Sequence, residues 1–163
     1  MKNNKVLFIS QGAIIAALYV ALTHLSNMAG LASGAIQIRL SEALTILPVF
    51  TPAAIPGLFI GCLVSNLTTG CIPWDIVGGS MATLIGALGT YALRKYPYAA
   101  SVPPILSNTI IVPFVLAYAY RFEGSIPYFM VTVGIGEVIC CGIMGMILMT
   151  ALKKYSRQIN WAN

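Results

Sequence analysis

Charge is what this chain has least of: only 8% of its 163 residues are charged, against about 25% in soluble domains. Its apolar runs are too long and too numerous for one packed core, so the chain reads as a polytopic membrane protein of one integral domain, residues 1–163. There is one histidine, His24, on a segment without a plausible nucleophile, so no Ser/His/Asp or Cys/His catalytic set is a candidate. No G-x-x-x-x-G-K-[ST] loop is present, so ATP hydrolysis by that route is excluded, and Gly134 and Gly136 do not extend to a dinucleotide fingerprint. An enzyme is therefore not expected. Cys62, Cys71, Cys140 and Cys141 lack metal-ligand or C-x-x-C spacing and read as small hydrophobes, with no disulfide and no metal. The first apolar run has no A-x-A-type cleavage site, which argues against a signal peptide. The two chain halves do not resemble each other as inverted repeats would.

What is there is a series of apolar runs cut by prolines, glycines and basic pairs. They predict an all-α membrane protein of six transmembrane helical segments, about 5–26, 40–50, 54–67, 79–93, 103–120 and 126–151. The second is too short to cross a ~30 Å core alone at ~1.5 Å per residue, and Pro113 predicts a kink in the fifth. With both termini cytoplasmic, Lys2, Lys5, Arg94, Lys95, Lys153, Lys154 and Arg157 fall inside, and only Arg39 and Arg121 outside. The acids Glu42, Asp75, Glu123 and Glu137 then lie in the outer half. The net charge of +5 follows from topology and implies no nucleic-acid partner.

Residues 66–83, NLTTGCIPWDIVGGSMAT, interrupt two apolar runs with polar groups and a Gly-Gly pair. Irregular backbone at membrane depth is tolerated inside protein or along a wet cavity. With Arg39, Glu42 and Glu137 this stretch is expected to form a small-molecule site; the plainer reading of Asp75 is a solvated loop residue. Glu137, in VGIGEVICCG, is a carboxylate well inside the sixth segment and asks for a partner, either a ligand or a neighbouring helix. Gly134 and Gly136 would clear space beside it for a planar ligand. Arg39 and Glu42 can pair at i, i+3, or offer a fork and an acceptor to a ligand. Asn108 and Ser107 could floor a cavity or bond across helices. His24 reads as packed or interfacial, and Trp74 and Tyr128 lie at interface depth. Asn66-Leu67-Thr68 matches a glycosylation sequon. On the first segment Ala13, Ala17 and Ala21 stack at i, i+4, i+8, widened by Ala16, for a partner helix inside or outside this chain, and Gly57-xxx-Gly61 is similar.

The stripe, the six segments and the polar stretch between the third and fourth together resemble the substrate-binding S component of energy-coupling factor (ECF) transporters. More narrowly, IQIRLSEALTILP, AAIPGLFIGCLVSNL and WDIVGGSMATLIGA are similar to the QueT family, the queuosine-precursor transporters. The resemblance implies an S-component-like bundle in a bacterial cell membrane that binds a 7-deazaguanine such as preQ1, or queuine. It implies a coupling transmembrane subunit docking on Ala13, Ala17 and Ala21, and two partner ATPase subunits that hydrolyse ATP, with no cofactor in this chain. The ligand's N–H and NH2 edge would meet Glu137, its carbonyl Arg39 or Asn66, its cationic aminomethyl Asp75 or Glu42, with Trp74 or Tyr128 stacked on the ring. An S component for another heterocyclic vitamin, or a stand-alone carrier or channel, are the alternatives.

Overall fold

The computed structural model describes residues 2–31, 36–121, 123–155 and 161, the side chains of residues 2 and 3 aside. Arg157, part of the charge count above, lies outside the described residues, as do residues 32–35 of the first connection. Six helices follow one another, with no strand among the described residues: α1 (Lys2–Met28), a 3₁₀ helix (Leu40–Val49), α2 (Ala54–Thr68), α3 (Pro73–Ala92), α4 (Val102–Ala119) and α5 (Ile126–Tyr155). Three of them, α1, α4 and α5, are long and apolar enough to cross a bilayer.

The segments appear in the expected order, but two differ in kind or extent. The second is a 3₁₀ helix of 10 residues, well beyond the usual three or four. Its residues Ser41 to Pro48 are all buried, and α1, α2, α3 and α5 pack around it. Pro48 lacks the N–H that an α-helical turn would use, and the tighter, longer rise lets few residues cover more depth. The fourth helix begins at Pro73, so most of the stretch read as irregular is helical, and only residues 69–72 turn. The signals for this were present. Proline is favoured at the first helical position, and Asp75 in the first turn faces the positive end of the helix dipole.

The turn itself closes α2 with a Schellman motif. Gly70 sits at φ +76°, its N–H donates to the Leu67 carbonyl at 3.3 Å, and the Cys71 N–H reaches the Asn66 carbonyl at 3.0 Å. This places Asn66 and Asp75 at the same end of the bundle. The α1–α2 seam is built on glycine: a Cβ at Gly57 would lie 2.7 Å from the Gly12 carbonyl oxygen, and one at Gly61 2.8 Å from Tyr19 Cβ. Gly57-xxx-Gly61 is thus an internal seam, and Ala16 lies against it rather than widening the outward stripe. Ala13, Ala17 and Ala21 lie on the other side of α1 and are exposed. Beyond Pro113, α4 loosens into a π-helical turn over Val115–Ala119, and α5 does the same over Val138–Met144, directly after Glu137.

Candidate substrate site

Two hollows that share part of their walls lie toward the end of the bundle that holds the α2–α3 turn. The wider is a cleft of about 470 Å³ between α1, α2, α3 and α4, lined by Arg39, Asn66, Asp75, His24 and Tyr120 among others. Beneath it a chamber of about 20 Å³, room for about one water, is lined by Arg39, Glu42, Asn108, Thr83 and Glu137. Gln37, Arg39 and Val112 belong to both walls.

In the cleft, Asp75 is buried in the first turn of α3. Tyr120, just past the π-helical end of α4, donates its hydroxyl to Asp75 Oδ2 at 3.0 Å. Burial, then the nearby Asp75 and Cys71, push the Tyr120 phenol up, so it stays a donor. Asn66 is 1% exposed, and its amide lies 3.4 Å from the Asp75 carbonyl oxygen. That burial removes Asn66 as a glycosylation acceptor, since the modification needs an accessible loop.

In the chamber, Glu42 accepts a short hydrogen bond from the Tyr19 hydroxyl and a long one, 3.5 Å, from the Asn108 amide. Arg39 and Glu42 are near enough to attract each other, as their i, i+3 spacing allows, but the hydrogen bonds of the Glu42 carboxylate among the described residues go to Tyr19 and Asn108. Glu137 Oε2 accepts from the Cys141 thiol at 3.1 Å, one helical turn along α5. Thr45 of the 3₁₀ helix donates to that sulfur at 3.3 Å. Ligand atoms of Glu42, Glu137 and Cys141 lie within 4.8 Å of one another, a donor set that the chain spacing of the cysteines did not reveal. The glycine gap expected beside Glu137 is filled by protein: a Cβ at Gly136 would stand 2.2 Å from the Gln37 carbonyl oxygen, and one at Gly134 3.5 Å from Thr109.

The structure thus brings Arg39, Asn66 and Asp75 to the cleft and Arg39, Glu42, Asn108 and Glu137 to the chamber. It does not bring Trp74 or Tyr128. Trp74 is 73% exposed on the outside of α3, and Tyr128 is half-exposed and packs edge-on to Phe129. Asp75 and Trp74 are consecutive on a helix, roughly 100° apart, so burying one turns the other outward. Ser107 bonds its own helix, at the Pro104 carbonyl, and floors neither hollow. Nothing in the sequence marked Tyr120, which lines the cleft, or Tyr19, which lines neither hollow but holds Glu42. His24, which lines the cleft and pairs with Thr68 at 3.0 Å, was the one rare residue type that could have been suspected.

A polar cleft backed by buried acids and one arginine thus lies inside a bundle of apolar helices, a setting suited to a small polar molecule. The chain belongs to the QueT transporter family, which it matches over residues 9–154. It is also similar to the queuosine precursor transporter QueT of Lactococcus lactis subsp. cremoris strain MG1363, at 37% identity over 86 residues. That match covers 52% of this chain and 50% of the relative. No solved structure matches it. The family is one of transporters rather than enzymes.

Proposed function

We propose that this chain is the substrate-binding S component of an ECF-type transporter and takes up a queuosine precursor, a 7-deazaguanine such as preQ1 or queuine. The observation that carries the reading is the graded hollow, a cleft with an acid at its wall above a tight chamber with two more. A bicyclic ring cannot enter a chamber with room for about one water. It fits the cleft, with its polar edge turned toward the chamber. There Glu137 accepts the adjacent N–H and NH2 of the lactam, and Arg39, on both walls, donates to the carbonyl. Asp75, higher in the cleft, is the counter-ion of an aminomethyl group. Glu42 is already held by Tyr19 and Asn108 and sets the negative field of the chamber instead. The relative's substrate, a queuosine precursor, supports this choice over another heterocyclic vitamin.

The exposed stripe of Ala13, Ala17 and Ala21 supports docking of a coupling transmembrane subunit, since small residues allow close helix approach in lipid. Partner ATPases then supply the energy. In this reading all six helices cross or fill the membrane, both termini are cytoplasmic and the cleft opens outside. Mass spectrometry of small molecules extracted from the purified protein tests the substrate, with a 7-deazaguanine expected. Copurification tests the role: a coupling subunit is expected with the wild type, and its absence under conditions that retain ligand would indicate a stand-alone carrier. Labelling Cys71 with an impermeant thiol reagent in intact cells, the other three cysteines replaced, tests the orientation. Reaction only after permeabilisation would reverse it.

A further inference from the structure

The charges of this chain are sorted along the bundle. Glu42, Asp75, Glu123 and Glu137 belong to the cleft half, whereas the opposite end carries Lys5, Arg94, Lys95, Lys153 and Lys154, with no acid among the described residues there. Those cations are interleaved with tyrosines. Arg94 lies 4.1 Å from the centre of the Tyr91 ring, and Lys153 Nζ 5.7 Å from that of Tyr98, which ties the α3–α4 connection to the end of α5. Tyr96 and Tyr98 are 68% and 79% exposed.

Beside this cluster an open groove of about 510 Å³ runs along α5, lined by Met146, Ile147, Thr150, Ala151 and Lys154. Ile147, Ala151 and Lys154 stand at i, i+4 and i+7, one stripe that is apolar for a turn and ends in a cation. We propose that this stripe is a binding site for an anionic phospholipid, with an acyl chain along Ile147 and Ala151 and the phosphate held by Lys154 and Lys153. Charge complementarity and the apolar floor select the occupant together. An acidic protein would use the cations but leave the groove unfilled, whereas a phospholipid has both parts in this order. Exposed tyrosine rings beside the cations suit the headgroup layer, where amphipathic rings settle. The site is at the far end of the bundle from the cleft, so it does not depend on which substrate the cleft takes.

Native mass spectrometry of the full chain, exchanged into equal amounts of phosphatidylglycerol and phosphatidylcholine with matched acyl chains, tests it. Phosphatidylglycerol is expected to be retained preferentially, and the preference to fall about fivefold for each lysine lost in K153Q/K154Q. K153R/K154R should restore it, and Lys5→Gln, far along the sequence on α1, should leave it unchanged. Ala151→Trp fills the groove and should reduce retention of both lipids, which a purely electrostatic patch would not show. Undiminished preference in K153Q/K154Q would overturn the proposal. So would a soluble acidic polypeptide that displaces phosphatidylglycerol from wild type and A151W alike, which would indicate an acidic protein partner.

Discussion

The cleft and the chamber share Gln37, Arg39 and Val112, yet they treat their carboxylates differently. Asp75 stands in about 470 Å³ of space with one tyrosine hydroxyl on it, and a ligand or several waters can reach its remaining lone pairs. Glu42 and Glu137 face about 20 Å³, and Tyr19, Asn108 and Cys141 already take part of their accepting capacity. Space decides what a buried acid can do. In the wide compartment a carboxylate can exchange partners at modest cost, while in the narrow one an unmet lone pair has no water to turn to.

The sharpest break of that contrast is Glu137→Gln. It turns one acceptor into a donor facing the ligand's own donors, at a cost on the order of 2–5 kcal/mol, or roughly 30-fold to several-thousand-fold in Kd. Isothermal titration with preQ1 and with an analogue lacking the exocyclic amine checks it. The analogue should bind wild type poorly and lose much less on the substitution, and equal loss for both would make Glu137 structural. Asp75→Asn should cost about 1.5–3 kcal/mol for the aminomethyl-bearing ligand and little for one lacking that group. If both ligands suffer equally, the cleft acid is not the amine's counter-ion.

Gly136→Ala tests whether the chamber wall is protein rather than vacancy. The new methyl would collide with the Gln37 carbonyl oxygen, 2.2 Å from the ideal Cβ, so a stability loss of about 1–3 kcal/mol is expected in denaturant or thermal unfolding. Unchanged stability would mean that the wall gives easily. Tyr120→Phe removes one donor from Asp75 where the cleft leaves room for water to replace it, so about 0.5–1.5 kcal/mol of ligand affinity should go. The corresponding Tyr19→Phe, in the tight chamber, should cost more, and the reverse order would refute the contrast. The smallest effect on binding is expected for Ala17→Trp. Its site is on the exposed face of α1, so ligand affinity of the isolated chain should be nearly unchanged while transport by the assembled complex is blocked. Loss of both together would place the stripe in internal packing.

The sequence by itself determined that this is a helical membrane protein, the order of its helices, and which few ionisable residues required an explanation. Those are local properties: run length, breakers, and the cost of each charge in an apolar stretch. The resemblance in residues 36–87 to the QueT family was likewise legible, because motifs are read along the chain. Only the tertiary structure decided who partners whom. Glu42 and Tyr19 are 23 residues apart, Asn108 and Glu42 66, and Thr45 and Cys141 96, and no periodicity relates them. The same is true of the gap beside Gly136, which admits Gln37 and not a ligand. The two faces of α1 carry similar small residues, and only packing shows that Gly12 and Ala16 meet α2 while Ala13, Ala17 and Ala21 do not. Contacts between helices depend on their mutual rotation and depth, and these are settled by the sum of all the seams at once rather than by any one stretch of chain.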